Sequence, residues 1–155
     1  MESLQNRTEE NSAYANFGQK KNNPFKPTGA FIGASWLALL LGVAGYCIGL
    51  GNAAMGLNEK GYYFTILLFG LFAVISVQKS VRDRAEGLAV TDLYYGISWF
   101  ATIAAMVLLT IGLWNADIDR SEKGFYAMAF CLSMFSAIAV QKNTRDAKMF
   151  ADKEQ

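Results

Sequence analysis

The chain contains no histidine among its 155 residues. That removes the side chain that most often serves as general base or metal ligand near neutral pH. Only two cysteines occur, Cys47 and Cys131. An internal repeat in the chain does not equate their positions, so they read as small apolar fillers rather than as a disulfide or a metal site. Glycine-rich phosphate loops, nucleophile elbows and metal-ligand spacings are also missing. The expectation is a protein that is not an enzyme, with no catalytic residues, no cofactor and no metal.

Charge is scarce as well, at 17% of residues against a usual quarter or so. All the charged residues lie outside four segments, Phe31 to Leu50, Gly61 to Val77, Leu93 to Trp114 and Gly124 to Val140. As helices rising about 1.5 Å per residue, runs of this length match the roughly 30 Å hydrocarbon core of a bilayer. Buried helices of a soluble bundle would instead carry a polar stripe facing water, and these do not. The fold class read from the chain is an all-α membrane protein with four transmembrane helices.

Basic residues are few on one side of those helices. Only Lys60, Arg120 and Lys123 fall in the connections after the first and third segments, and the other eleven of the fourteen Lys and Arg fall on the side of the termini. Basic residues resist translocation, so both termini are expected in the cytoplasm. Residues 1–28, rich in Asn, Gln, Glu and Lys, read as a disordered cytoplasmic tail. Residues 149–155 read as a cytoplasmic C-terminal tail. No cleavable signal is expected, because the first apolar run is preceded by a long polar stretch and is long enough to span. Nucleic acid is not an expected partner, since the basic residues are spread over three segments and interleaved with acids.

What the chain does have is a repeat at an offset of 63 residues. Gly49 to Tyr63, GLGNAAMGLNEKGYY, returns as Gly112 to Tyr126, GLWNADIDRSEKGFY, and Val77 to Asp83, VQKSVRD, returns as Val140 to Asp146, VQKNTRD. From Thr28 to Asp83 against Thr91 to Asp146, 21 of 56 positions are identical, clustered toward segment ends rather than in the apolar centres. Residues 29–86 and 91–148 are therefore two copies of a two-helix hairpin. With an even number of helices in each copy, the repeat is parallel.

Two end motifs persist in both copies. The outer one pairs Asn52, Glu59, Lys60 and Gly61 with Asn115, Glu122, Lys123 and Gly124. Local structure accounts for these residue types: Asn52 and Asn115 as left-handed helix ends, Asn58 and Ser121 as N-caps, and each Glu at the positive end of a helix dipole. An outward-facing contact or ligand surface is the other reading. The inner motif pairs Gln78, Lys79, Arg82 and Asp83 with Gln141, Lys142, Arg145 and Asp146. Its basic residues suit the negative end of a helix and can reach lipid headgroups, and Lys79 to Asp83 and Lys142 to Asp146 have i,i+4 spacing. Recurrence of the same letters also marks a candidate lipid-headgroup or partner contact, in which Arg82 and Arg145 act equivalently. Within the first helix, Gly42, Gly45 and Gly49 form a stripe of small residues suited to close helix packing, which the third helix does not duplicate.

The pattern GLxNAxMxLNEKGYYF, followed by QKxVRD, then GLWNA, SEKGFY and AVQKNxRD, resembles the YiaA/YiaB two-helix domain family of bacterial inner-membrane proteins. It covers about Phe31 to Lys148 in two copies of the domain. Gly51, where the second copy has Trp114, departs from the pattern, and the polar tail is additional to it. The resemblance implies residence in a bacterial inner membrane and implies no activity.

The function expected is a non-enzymatic membrane interaction or structural protein, in the setting of envelope homeostasis or stress response. Its expected partners are the lipid bilayer and a membrane protein or a second copy of the chain. The alternative is a transporter or channel subunit for a neutral solute, acting as an oligomer and lined by the hydroxyls of Thr65, Ser76, Ser98, Thr102, Thr110, Ser133 and Ser136. Against it, the spans hold no ionisable group of the kind that ion-coupled transport uses. The charge asymmetry has a direct test: reporter fusions after Gln155 and within Ser80 to Thr91 should both report cytoplasm. A periplasmic signal at either would overturn the orientation.

Overall fold

The computed structural model describes residues 27–152, so the expected N-terminal tail lies outside the described residues except for its last two positions. Four helices follow in order: α1 Gly29–Asn52, α2 Leu57–Ala85, α3 Asp92–Asn115 and α4 Arg120–Asp152. Each is long and apolar enough to cross a membrane. Residues 149–152, assigned to a tail from the sequence, continue α4 instead. At 33 residues α4 is about 50 Å long, well beyond a bilayer core, so its charged last turns stand outside the apolar span.

Short polar residues set the helix starts at the end that carries the termini. Thr28 Oγ1 accepts from the Phe31 amide at 3.3 Å, and the repeat-equivalent Thr91 Oγ1 accepts from the Tyr94 amide at 3.3 Å. Each hydroxyl satisfies an amide that the first helical turn leaves without a partner. At the end of α2, Gly87 adopts a φ of +76°, with its amide on Arg84 O and the Leu88 amide on Asp83 O. This double closure needs a left-handed residue, which glycine adopts at little cost.

The caps at the hairpin end differ from the sequence expectation. Asn58 lies inside α2, whose N-cap is Gly56, and Ser121 lies inside α4, which begins at Arg120. Asn52 and Asn115 are last helical residues followed by extended Ala53 and Ala116, and among the described residues no non-glycine residue has positive φ. Both chain reversals leave the helix through extended backbone, so neither needs the left-handed asparagine.

Packing crosses between the two copies. α1 lies chiefly against α4, α3 chiefly against α2, α2 and α4 meet along the middle, and the two helices of each hairpin barely touch. The arrangement has the pseudo-twofold symmetry of the sequence repeat. A Cβ on Gly49 would lie 2.7 Å from the Phe125 ring, and a Cβ on Gly112 would lie 2.6 Å from the Tyr62 ring. These are equivalent contacts one offset apart. Gly42 sits closest of all to backbone, where an added Cβ would lie 2.7 Å from Ser133 Oγ and 3.0 Å from Ser133 N. Gly45 has looser surroundings, with Phe125 at 3.9 Å.

The interior is solid. Tyr46, Leu67 and Phe130 are fully buried among Tyr63, Leu109, Tyr126 and Met134. Tyr63 and Tyr126, repeat equivalents, stack toward the hairpin end with centroids 6.2 Å apart, and Tyr46 meets Tyr126 edge-on at 5.4 Å while donating to Tyr63 O at 3.1 Å. The outer surface is the reverse of a soluble protein's: the equivalent Phe72 and Phe135 are 71% and 69% exposed. In lipid such faces cost nothing, and helices associate through close packing rather than through the hydrophobic effect.

Gly42→Ala should therefore lower stability by about 1–3 kcal/mol through overpacking against the α4 backbone. Gly33→Ala, where a Cβ meets nothing within 4 Å, should be neutral or slightly stabilising. Denaturation of the purified protein in mixed micelles compares them, and equal stability of the two variants would refute the crossing geometry at Gly42.

Candidate functional site

The outer motif closes its own hairpins. Glu59 Oε2 accepts from the Gly56 amide at 2.9 Å, and Glu122 Oε2 accepts from the Asp119 amide at 3.3 Å. Each carboxylate thereby satisfies an orphan donor at the positive end of the following helix. Lys60 Nζ reaches back to Gly51 O at 2.8 Å, and Lys123 Nζ approaches Trp114 O at 3.5 Å, so each lysine meets a terminal carbonyl of the preceding helix. Asn115 donates to Ile111 O within its own helix at 2.8 Å. Nothing in the structure explains the recurrence of Gly61 and Gly124, whose added Cβ atoms would meet nothing within 4 Å.

Two equivalent clefts open beside these hairpins. One, of about 400 Å³ between α2 and α3, is lined by Glu59, Tyr62, Gly112 and Asn115. The other, of about 340 Å³ between α1 and α4, is lined by the matching Glu122, Phe125, Gly49 and Asn52. The copies differ in one polar contact: Tyr62 donates its hydroxyl to Leu108 O at 2.8 Å, which Phe125 cannot do. In both clefts the carboxylate is already engaged with its own helix start.

The inner motif is used differently. Arg82 Nη2 donates to Asp83 Oδ1 at 3.0 Å, while Arg145 pairs across the copies with Glu86. Arg84 pairs with Asp92 and lies 4.1 Å over the Tyr95 ring, tying α2 to α3. The i,i+4 pairs that spacing suggests do not form: Asp83 is taken by Arg82, and among the described residues neither Lys79 nor Lys142 makes an ion pair. Arg82 and Arg145 are consequently not equivalent, because Glu86 has Met149 as its counterpart one offset on.

Among the described residues, Gln78 Oε1, Gln141 Oε1 and Arg82 Nε are buried with no hydrogen-bond partner. A buried polar atom without a partner costs about 1–3 kcal/mol, so such atoms call for an explanation. Two of them belong to the same letter of the repeat. Near them, Asn143 Nδ2 donates to Ser35 Oγ at 2.7 Å and pins α4 to α1. Sequence reasoning missed this link because Asn143 faces Ser80 across the offset and so registers as a difference rather than an identity.

A groove runs along this same side. Its polar section, of about 490 Å³, is lined by Arg82, Gln141, Arg145 and Lys148 with Trp36 and Val140. Trp36, Val140 and Gln141 also line an apolar section of about 440 Å³, which α1 and α2 flank and α4 floors. Trp36 is a second residue missed from sequence, since tryptophan at a span end reads first as an interfacial anchor. The groove exists because the helices of the first hairpin stand apart, with α4 packed behind them.

These features define an integral, multi-pass membrane protein built on a duplicated two-helix unit. The chain belongs to the yiaA/B two helix domain family, whose sequence model matches residues 31–83 and again 94–146. It is 53% identical over 125 residues to inner membrane protein YiaA of Escherichia coli (strain K12), covering 81% of this chain and 86% of the relative. It is 30% identical over 103 residues to inner membrane protein YiaB of the same organism, covering 64% and 84%. To the uncharacterized membrane protein YubF of Bacillus subtilis (strain 168) it is 41% identical over 51 residues, covering 32% and 59%. No solved structure matches the chain. With four apolar spans and inner-membrane relatives, the chain is a multi-pass inner-membrane protein.

The capping geometry sets an order for the two glutamates. Glu59→Ala should cost about 0.5–1 kcal/mol in micellar unfolding, and Glu122→Ala less, because its bond to the helix start is longer. The reverse order would show that the outer carboxylates do not act as caps.

Proposed function

We propose that the protein works without catalysis, as an interaction or structural protein of the inner membrane whose contact surface is the end carrying both termini, placed in the cytoplasm. The observation that carries this reading is the unspent hydrogen-bonding capacity of the inner motif. Among the described residues, Gln78 Oε1 and its repeat equivalent Gln141 Oε1, together with Arg82 Nε, have no hydrogen-bond partner, whereas the glutamates and lysines of the outer motif bond to their own hairpins. Two of these atoms belong to side chains that line the groove, Arg82 and Gln141, so a molecule seated there would lie beside them. Eleven of the fourteen basic residues on that side support its cytoplasmic placement.

Passage of a neutral solute draws less support. Ser98, Thr102, Ser133 and Ser136 each donate to a carbonyl of their own helix, and aromatic and aliphatic side chains fill the space between the helices. Hydroxyls satisfied in this way offer a permeating solute little. Crosslinking in native membranes followed by mass spectrometry should recover defined neighbours through residues near Arg82 and Gln141. Recovery of the chain alone, together with solute uptake by reconstituted vesicles, would overturn this reading in favour of transport.

A further inference from the structure

We propose that the groove between α1 and α2 is a binding site for one anionic glycerophospholipid drawn from the leaflet at the terminal end. The inference rests on the contact reading above and names the partner class. The groove has the two halves that such a lipid needs, in the right order along the membrane normal. Leu39, Leu40, Val43, Leu71 and Ile75 line an almost wholly apolar cleft at the depth of acyl chains, opening toward lipid between helices that barely touch. Arg82, Arg145 and Lys148 line its continuation at the membrane edge, where the headgroup phosphate lies. Trp36 spans the junction, at the interfacial depth where indole rings prefer to sit.

Two of the three unpartnered polar atoms, on Arg82 and Gln141, belong to side chains that line the groove where the lipid's own polar atoms would be. Arg82 lines the basic section with its Nε–H buried and unpartnered among the described residues, and a guanidinium with one edge on Asp83 can still donate from the other to a phosphate oxygen. Gln141 lies between the two sections, level with the glycerol and its ester carbonyls, and its amide can donate or accept there. A protein helix would cover the apolar cleft but would need a carboxylate at the membrane edge to answer the basic section. A phospholipid brings both in one molecule.

The duplication sharpens the assignment, because the second copy does not reproduce the site. One offset away, Lys148 and Met149 correspond to Ala85 and Glu86, and Val43 and Leu71 correspond to the longer Met106 and Met134. Glu86 also holds Arg145. The basic groove is thus specific to the α1–α2 side, which generic anchoring by repeated basic residues would not produce.

The test uses the full chain with Trp99→Phe and Trp114→Phe, which leaves Trp36 as the sole tryptophan of three. Reconstituted in phosphatidylcholine vesicles, it should be quenched far more by a minor fraction of brominated phosphatidylglycerol than by the same fraction of brominated phosphatidylcholine. Arg82→Gln with Lys148→Gln should reduce that preference about tenfold, and Lys60→Gln with Lys123→Gln at the other end should leave it intact. Lys148→Gln alone, on exposed turns of α4 away from the packed core, should give part of the loss with unchanged micellar unfolding. Equal quenching by the two lipids, or a preference that survives both groove substitutions, would overturn the site. A photocrosslinker at Leu40 in native membranes separates the two readings. Capture of phospholipid supports both, capture of a protein helix removes the lipid and leaves the contact reading, and capture of neither removes both.

Discussion

The close approach of α1 to α4 at Gly42 and Ser133, with the glycine contacts at Gly49 and Gly112, is the constraint on which the remaining architecture depends. Lipid offers helices no hydrophobic reward for associating, so attraction comes from surfaces brought within van der Waals distance. A glycine at the crossing lets one backbone reach another. Because the helices of a hairpin barely touch, the crossed contacts between copies hold the bundle together and the chain reversals only connect it. The same crossing opens the groove, since α4 sits behind α1 and α2 instead of letting them close on each other.

The two ends of the bundle put repeated residues to different uses. At the hairpin end, a carboxylate on the start of one helix and a lysine on the end of the previous one close each reversal twice. These bonds need the same letters at the same spacing in both copies, which accounts for the recurrence of Glu and Lys without a ligand. At the terminal end, the recurring glutamines bring buried oxygens that no described residue satisfies. Identical conservation across the copies therefore has two distinct physical causes.

Symmetry breaking matters as much as symmetry. Glu86 draws Arg145 across the pseudo-twofold axis, and its counterpart Met149 cannot do the same for Arg82. Arg82 turns to its neighbour Asp83 instead. Lys148 adds a further base on one side where the other copy has Ala85, and Asn143 ties α4 to Ser35 where the other copy has two serines bonded to their own helices.

Helix number, span lengths, family and parallel duplication were legible in the sequence, because each is a one-dimensional property: a run without charge has the length of a bilayer, and a copied segment keeps its letters. The residue types at the hairpins were legible too, though capping shifted from Asn58 and Ser121 to earlier positions, since two residues of slack in a loop cost little. Which helix meets which was not legible. In lipid every face of these helices is apolar, so no stripe of polarity marks the side that packs, and the partner of Gly42 is set by backbone distance alone. Ion-pair choice at Arg82 and Arg145 was hidden for the same reason: spacing along one helix offered Lys79 to Asp83, and only the tertiary approach of α2 and α4 brought Glu86 to Arg145.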